Sequence, residues 1–446
     1  MAKQAKLTEG PIKKTLIHLT LPMMVGMIGM VMFNIADTFF IGKLGTLHLA
    51  AISYTFPVIL VIGSFSMGIS MGITSAVSYA IGEGNHQKVQ RFTTDGILLS
   101  LLLVGVISIV GYFTINPLFH LLGATINVMT YIEDYMKIWY IGIITVIVPM
   151  VGNSAIRATG DTKTPAKIML VAVIVNIILD PLFIFGFGPI PQLNLTGAAL
   201  ATVISRSITL VVAFWVLFKK EQLISFTLPT LEQVWISWKT IMHIGIPAIA
   251  TGLIFPLSTG IIIRMIANFG NASIAAFGII SRIESFSLLT LMALSSVLGP
   301  FVGQNIGATN IKRAKLGIKY SHYFSITWGI GMAILLGIIG GYLGRYFDSS
   351  MQVIQIVTMY FLIRPISYGF QGLFLQSTTV FNILKKPLKS SLLTIFQMFG
   401  LYIPLSYLGS EWLGLYGIFY GITFSYIMSG ITSAIFLNNS MIKIEK

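Results

Sequence analysis

Long apolar runs alternate with short polar breaks from end to end of this chain. A helix needs about 20 apolar residues to cross a bilayer. With that ruler the runs predict twelve spans, near 15–41, 49–81, 92–115, 128–155, 168–187, 197–218, 240–267, 273–303, 320–343, 351–379, 390–408 and 413–437. The runs are too long for membrane strands and lack their two-residue alternation. The expected class is therefore an all-α integral membrane protein. The longest polar stretch, 219–239, reads as a linker rather than a domain.

Composition sharpens this reading. Apolar residues make up 55% and charged residues 9%, with a net charge of +14. The basic residues lie in short clusters between spans, so a nucleic-acid surface is not expected. One set of loops, with the termini, holds 21 Lys and Arg, and the alternate set holds only Lys43 and Arg345. Lys3 and Lys446 are among the 21. By the positive-inside rule both termini are expected in the cytoplasm, and the protein in the cell membrane. There is no Cys, so disulfides, thiolate metal sites and Cys nucleophiles are excluded. The six His show no metal-binding spacing, and no secretory cleavage pattern is seen at the start. No cofactor is expected.

The chain repeats itself. One constant, gap-free shift aligns His18 with His243, Pro22 with Pro247, Gly45 with Gly270, Gly82 with Gly307 and Asn85 with Asn310. Each half then has an even number of spans, so the halves share one topology about an axis along the membrane normal. The expected organisation is two six-helix lobes, 1–218 and 240–446, joined by 219–239 and facing each other across a central cleft.

An ionisable side chain inside a membrane is costly and marks a functional candidate. Asp37 has no basic residue within a turn, and Asn34 lies on its face. Asp180 follows Asn176 by four residues, so the two share a helix face, and it precedes the helix-breaking Pro181. Two carboxylates with amides beside them suit reversible uptake of a proton or of Na+. Glu284, with Arg264, Arg282 and Arg364 in the same half, reads instead as a charge network within the second bundle. Glu133, Asp134 and Lys137 read as a local ion-pair set, and Asp95 as an acid at the start of the third span. Pro22 offers a site for a bend in the first span.

Ordered local patterns then point to a family. They are Leu-Thr-Leu-Pro at 19–22, Asp-Thr-Phe-Phe-Ile-Gly at 37–42, Ile-Arg-Ala-Thr-Gly-Asp-Thr-Lys-Thr-Pro at 156–165, Asn-Ile-Ile-Leu-Asp-Pro at 176–181 and Gly-Gln-Asn-Ile-Gly-Ala at 303–308. Over nearly its whole length the chain resembles the multidrug and toxic compound extrusion (MATE) transporters, most of all their DinF-like branch. The resemblance implies a V-shaped cleft and an antiporter, not an enzyme, that exports amphipathic, often cationic compounds against H+ or Na+, with H+ favoured. It implies cation coupling at Asp37, Asn176, Asp180 and Thr202, with Na+ an alternative occupant. It places Asn153 and Tyr135 in the cavity of the N-terminal lobe, where Asn34 is expected from its position beside Asp37, with bending at Pro22 and a monomer as the working unit. Pro256 stands where another branch carries an acid in the seventh span, which argues against a C-terminal site of that type. The rival readings are a flippase for a lipid-linked precursor, which would want more intramembrane Arg, and an intramembrane aspartyl protease, whose Tyr-Asp and Gly-x-Gly-Asp signatures are missing.

Overall fold

The structure is a computed structural model and describes residues 5–227 and 229–445; Lys3 and Lys446, counted above, lie outside them. Fifteen α-helices follow one another: α1 (Ile12–Gly42), α2 (Thr46–Gly82), α3 (His86–Phe113), α4 (Ile115–Leu121), α5 (Ile126–Gly142), α6 (Ile144–Ala158), α7 (Lys163–Ile184) and α8 (Asn194–Trp215) in the first half, then α9 (Leu231–Ala267), α10 (Asn271–Gly307), α11 (Ile311–Phe347), α12 (Met351–Ile363), α13 (Tyr368–Ile383), α14 (Pro387–Ile395) and α15 (Ile403–Glu445). Among the described residues no strand forms; one isolated bridge, Phe187 to Ile190, closes the turn after α7. A membrane forces this, because every backbone N–H and C=O must pair within its own segment.

Among the described residues ten helical stretches are long and apolar enough to cross a bilayer, and α5 with α6, bent by 43° at their junction, adds an eleventh. The twelfth lies inside the 59-residue stretch Pro387–Glu445. At 1.5 Å per residue that stretch would run to about 88 Å, far more than the ~30 Å hydrocarbon core. It breaks at Gly414, which has φ 60 and ψ −140. Gly409 and Gly417 then lie back to back, so close that a Cβ on either would collide with the other's backbone. This hairpin yields two spans, and the protein is an all-α membrane protein of twelve spans.

The repeat governs the elements. The shift that carries His18 onto His243 also carries both ends of α2 onto both ends of α10, Thr46 onto Asn271 and Gly82 onto Gly307. A positive-φ glycine precedes each helix, Gly45 at φ 113 and Gly270 at φ 94. Asn85 caps α3 by accepting from the Lys88 N–H at 3.0 Å, and Asn310 caps α11 in the same way from Arg313 at 3.4 Å.

Packing groups Leu21–Ile249 into one unit and Ala5–Thr20 with the residues from Ala250 onward into a second. The borders fall within α1, beside Pro22, and within α9, beside Pro247. The chain is helical from Leu231, so the last residues of the polar 219–239 stretch belong to α9. In the second unit the segment before α1 is clasped by side chains: Leu7 is buried, its N–H donates to Gln304 Oε1 at 3.1 Å, and its carbonyl accepts from Asn305 Nδ2 at 3.1 Å.

Candidate functional site

Within the first unit, α1 and α7 run parallel in close contact. A Cβ on Gly26 would stand 3.0 Å from the Ala166 Cα, and one on Gly29 would stand 3.0 Å from Leu170 Cδ2. Further along, the rings of Phe40 and Phe185 meet edge to face at 6.4 Å. The same register, kept along the whole contact, sets Asp37 beside Asp180. The two carboxylates interact electrostatically, and both act on the Tyr135 phenol of α5.

Asp180 is fully buried, as is Asn176, whose Nδ2 donates to Asp180 Oδ1 at 3.0 Å. Asp180 Oδ2 and Asn176 Oδ1 are buried without a hydrogen-bond partner, and so is Asp37 Oδ1. Among the described residues no ion pair includes either aspartate. Three inaccessible oxygens, one on α1 and two on α7, therefore lack a donor. A buried acceptor without a donor costs about 1–3 kcal/mol, and more if charged. A proton or a small cation relieves that cost.

The other sequence-derived residues sit as follows. Tyr135 is buried beside the pair. Asn153 of α6 is buried with Oδ1 unpartnered, and no hydrogen bond joins it to the aspartates. Thr202 of α8 is buried, but its hydroxyl makes no hydrogen bond to Asp180 or Asn176; its carbonyl accepts from Ser205 at 2.9 Å. Asn34 is exposed, and its carbonyl accepts from Thr38. Pro22 lies inside α1, which stays helical through it.

Several charges find partners that decide their roles. Asp95 lies well inside α3 instead of at its start, fully buried, and held by Arg91, whose Nε donates to Oδ2 at 2.7 Å. Its carbonyl also accepts from Trp238 Nε1 at 2.9 Å. The spacing of four was the signal, obscured by placing the helix start too late. Glu133 pairs with Lys137 at 2.6 Å, and Asp134 joins no ion pair among the described residues. In the second unit Arg364 Nη2 stands 3.3 Å from Glu284 Oε1, Tyr360 donates to Glu284 Oε2 at 3.1 Å, and the guanidinium lies 4.4 Å from the Tyr426 ring. Arg264 and Arg282 stand outside this network.

One more charge, Arg206, lies on α8. It follows Thr202 by one turn of α8 and reaches α1, where its guanidinium lies 4.8 Å from the Phe33 ring and its Nη atoms 3.7 and 3.8 Å from Met30 Sδ.

Comparison with known proteins bears on the family and the fold. The MatE family pattern matches residues 22–182 and again 247–408, so that Pro22 and Pro247, partners in the repeat, open the two stretches. A FAD transporter of Shewanella oneidensis is 37% identical over 425 residues, spanning 95% of this chain and 94% of the relative. The probable multidrug resistance protein YpnP of Bacillus subtilis is 26% identical, spanning 96% and 95% of the two chains. The MATE transporter VcmN of Vibrio cholerae, in its bent form, superposes with a TM-score of 0.92 at 29% identity, covering 97% of this chain and 98% of that one. With the family pattern found once in each repeat and a relative similar over nearly its full length, this chain belongs to the MatE family of membrane transporters.

Proposed function

We propose that the chain is a cation-coupled antiporter that exports amphipathic, often cationic small molecules by alternating access, with H+ as the driving ion. One observation carries this reading: Asp37 and Asp180 interact with each other, have no basic partner among the described residues, and come from two helices of one unit. A cation bound between α1 and α7 relieves the cost of the pair in one conformation more than in another, and coupling needs that difference. A proton needs a single oxygen. Na+ needs a shell of them, and Thr202 offers its hydroxyl to neither Asp180 nor Asn176. This favours H+. In this reading Asn153, Tyr135 and Asn34 line the path of the transported compound, and α1 bends at Pro22. The lobes are 1–218 and 240–446, the termini are cytoplasmic, and the protein works as a monomer in the cell membrane.

The similarity to a FAD transporter favours a second cargo, a flavin dinucleotide. Both cargoes fit one experiment, efflux from vesicles under an imposed pH or Na+ gradient. Dye and flavin are followed for the native chain, Asp37→Asn and Asp180→Asn. Efflux driven by the pH gradient and lost in both variants at normal membrane levels is expected. Efflux driven by Na+ alone would reassign the ion, and efflux surviving both substitutions would remove the site.

A further inference from the structure

Arg206 is an intramembrane cation with no anion beside it among the described residues. It stands twelve residues after Asn194 and nine before Trp215, at the middle of α8. At 1.5 Å per residue that is about 18 and 14 Å from the two ends of α8, beyond the reach of an arginine side chain that would snorkel to water. None of the ion pairs among the described residues includes it. Among the same residues its five N–H donors meet no acceptor except Met30 Sδ, a weak one, and Nε is buried without a partner. Phe33 lies against the guanidinium at 4.8 Å. The residue as a whole is half-buried.

An uncompensated guanidinium in the membrane is costly, and contacts to a ring and a thioether offset little of that cost. A role confined to packing α8 against α1 would be served as well by an apolar side chain. The missing component is an anion, and the planar fork of a guanidinium matches a phosphate group in two parallel hydrogen bonds. The apolar surround of Phe33 and Met30 suits a ligand with an apolar or aromatic body beside that group.

We infer that Arg206 is a substrate-recognition residue that binds the phosphate of an amphipathic, aromatic cargo inside the first unit. This rests on the export reading above, but binding to the isolated protein needs no gradient, so a failure of cation coupling leaves it untouched.

The test uses the purified full chain in neutral detergent and three probes with one ring system: riboflavin without phosphate, FMN with one and FAD with two. Binding is read from flavin fluorescence. The native chain is expected to hold FMN and FAD at least about tenfold more tightly than riboflavin, the worth of one hydrogen-bonded charge pair. Arg206→Gln is expected to level the three, with riboflavin affinity unchanged, which also reports a folded protein. Arg206→Lys keeps the charge but loses the fork, and is expected to retain part of the preference. A native chain without the preference, or an Arg206→Gln chain that keeps it, overturns the inference. Phosphatidylglycerol, against phosphate-free diacylglycerol, tests the other source of phosphate. Loss of phosphatidylglycerol binding in Arg206→Gln with FMN binding intact assigns the group to a lipid headgroup and likewise overturns it.

Discussion

The docking of α1 on α7 sets the distance between Asp37 and Asp180, so a change at that contact should act on the site. Gly26 faces the Ala166 Cα, where an added Cβ would stand at 3.0 Å, with Met169 Sδ at 3.2 Å. Both are tighter than ordinary van der Waals contact, so backbone would have to yield by a few tenths of an ångström. At Gly29 the facing atom, Leu170 Cδ2, is also at 3.0 Å, but it ends a flexible side chain. At Gly63, within α2, nothing lies within 4 Å. Replacing a mid-helix Gly by Ala gains about 0.5–1 kcal/mol, while overpacking costs about 1–3 kcal/mol. Gly63→Ala should therefore stabilise, Gly29→Ala should be near neutral, and Gly26→Ala should lose up to about 2 kcal/mol. Gly26→Val adds two methyl groups against the same backbone and must drive the helices apart, separating Asp37 from Asp180. The assay is the thermal unfolding midpoint of the purified protein in detergent, paired with gradient-driven efflux. Midpoints should fall in the order Gly63→Ala, Gly29→Ala, Gly26→Ala, Gly26→Val, and efflux should fail first in Gly26→Val. A Gly26→Val protein as stable and active as Gly63→Val would refute the docking argument.

Contacts away from that interface give three more tests. In the loop before α7, burial pushes the Asp161 carboxyl up, but hydrogen bonds from Lys220 at 2.8 Å and from Thr164 outweigh it and hold the group below its usual range. Its stabilisation is present above the unfolded value near 3.9 and lost as pH falls through the lower folded value, so Asp161→Asn should cost up to about 1 kcal/mol at neutral pH and the gap should close only in strong acid, as unfolding midpoints measured across pH will show. In the second unit, Glu284→Gln leaves Arg364, 2% exposed, without its counter-charge; a loss of about 3 kcal/mol is expected, partly offset by the Tyr426 face, and Glu284→Gln with Arg364→Met should lose less than the two single changes added, as a double-mutant cycle of unfolding midpoints will read. Gly417→Val sets side-chain atoms against the Gly409 backbone; it should open the hairpin at Gly414 and cut the amount of protein inserted in the membrane, measured by immunoblot against Gly63→Val.

The sequence alone determined the all-helical class, the twelve spans and the two-fold repeat, because span length and apolar composition are local quantities that a bilayer selects directly. It also determined pairs at helical spacing. Asn176 and Asp180 share a face because their spacing is close to one helical turn, and Arg91 with Asp95 was legible by the same rule once the start of α3 moved back to His86. Tertiary structure alone decided the rest. Asp37 interacts with Asp180, and both act on Tyr135, through the register of α1 on α7, which depends on how closely Gly26 and Gly29 let two helices approach. Glu284 pairs with Arg364 instead of the nearer Arg282 because Arg364 is carried into the core by the turn between α12 and α13. That Arg206 lies against Phe33 and Met30 with no anion in reach among the described residues is settled only when α8 packs beside α1. Periodicity fixes which side of a helix a residue occupies, but the neighbour on that side depends on contacts between segments far apart in the chain.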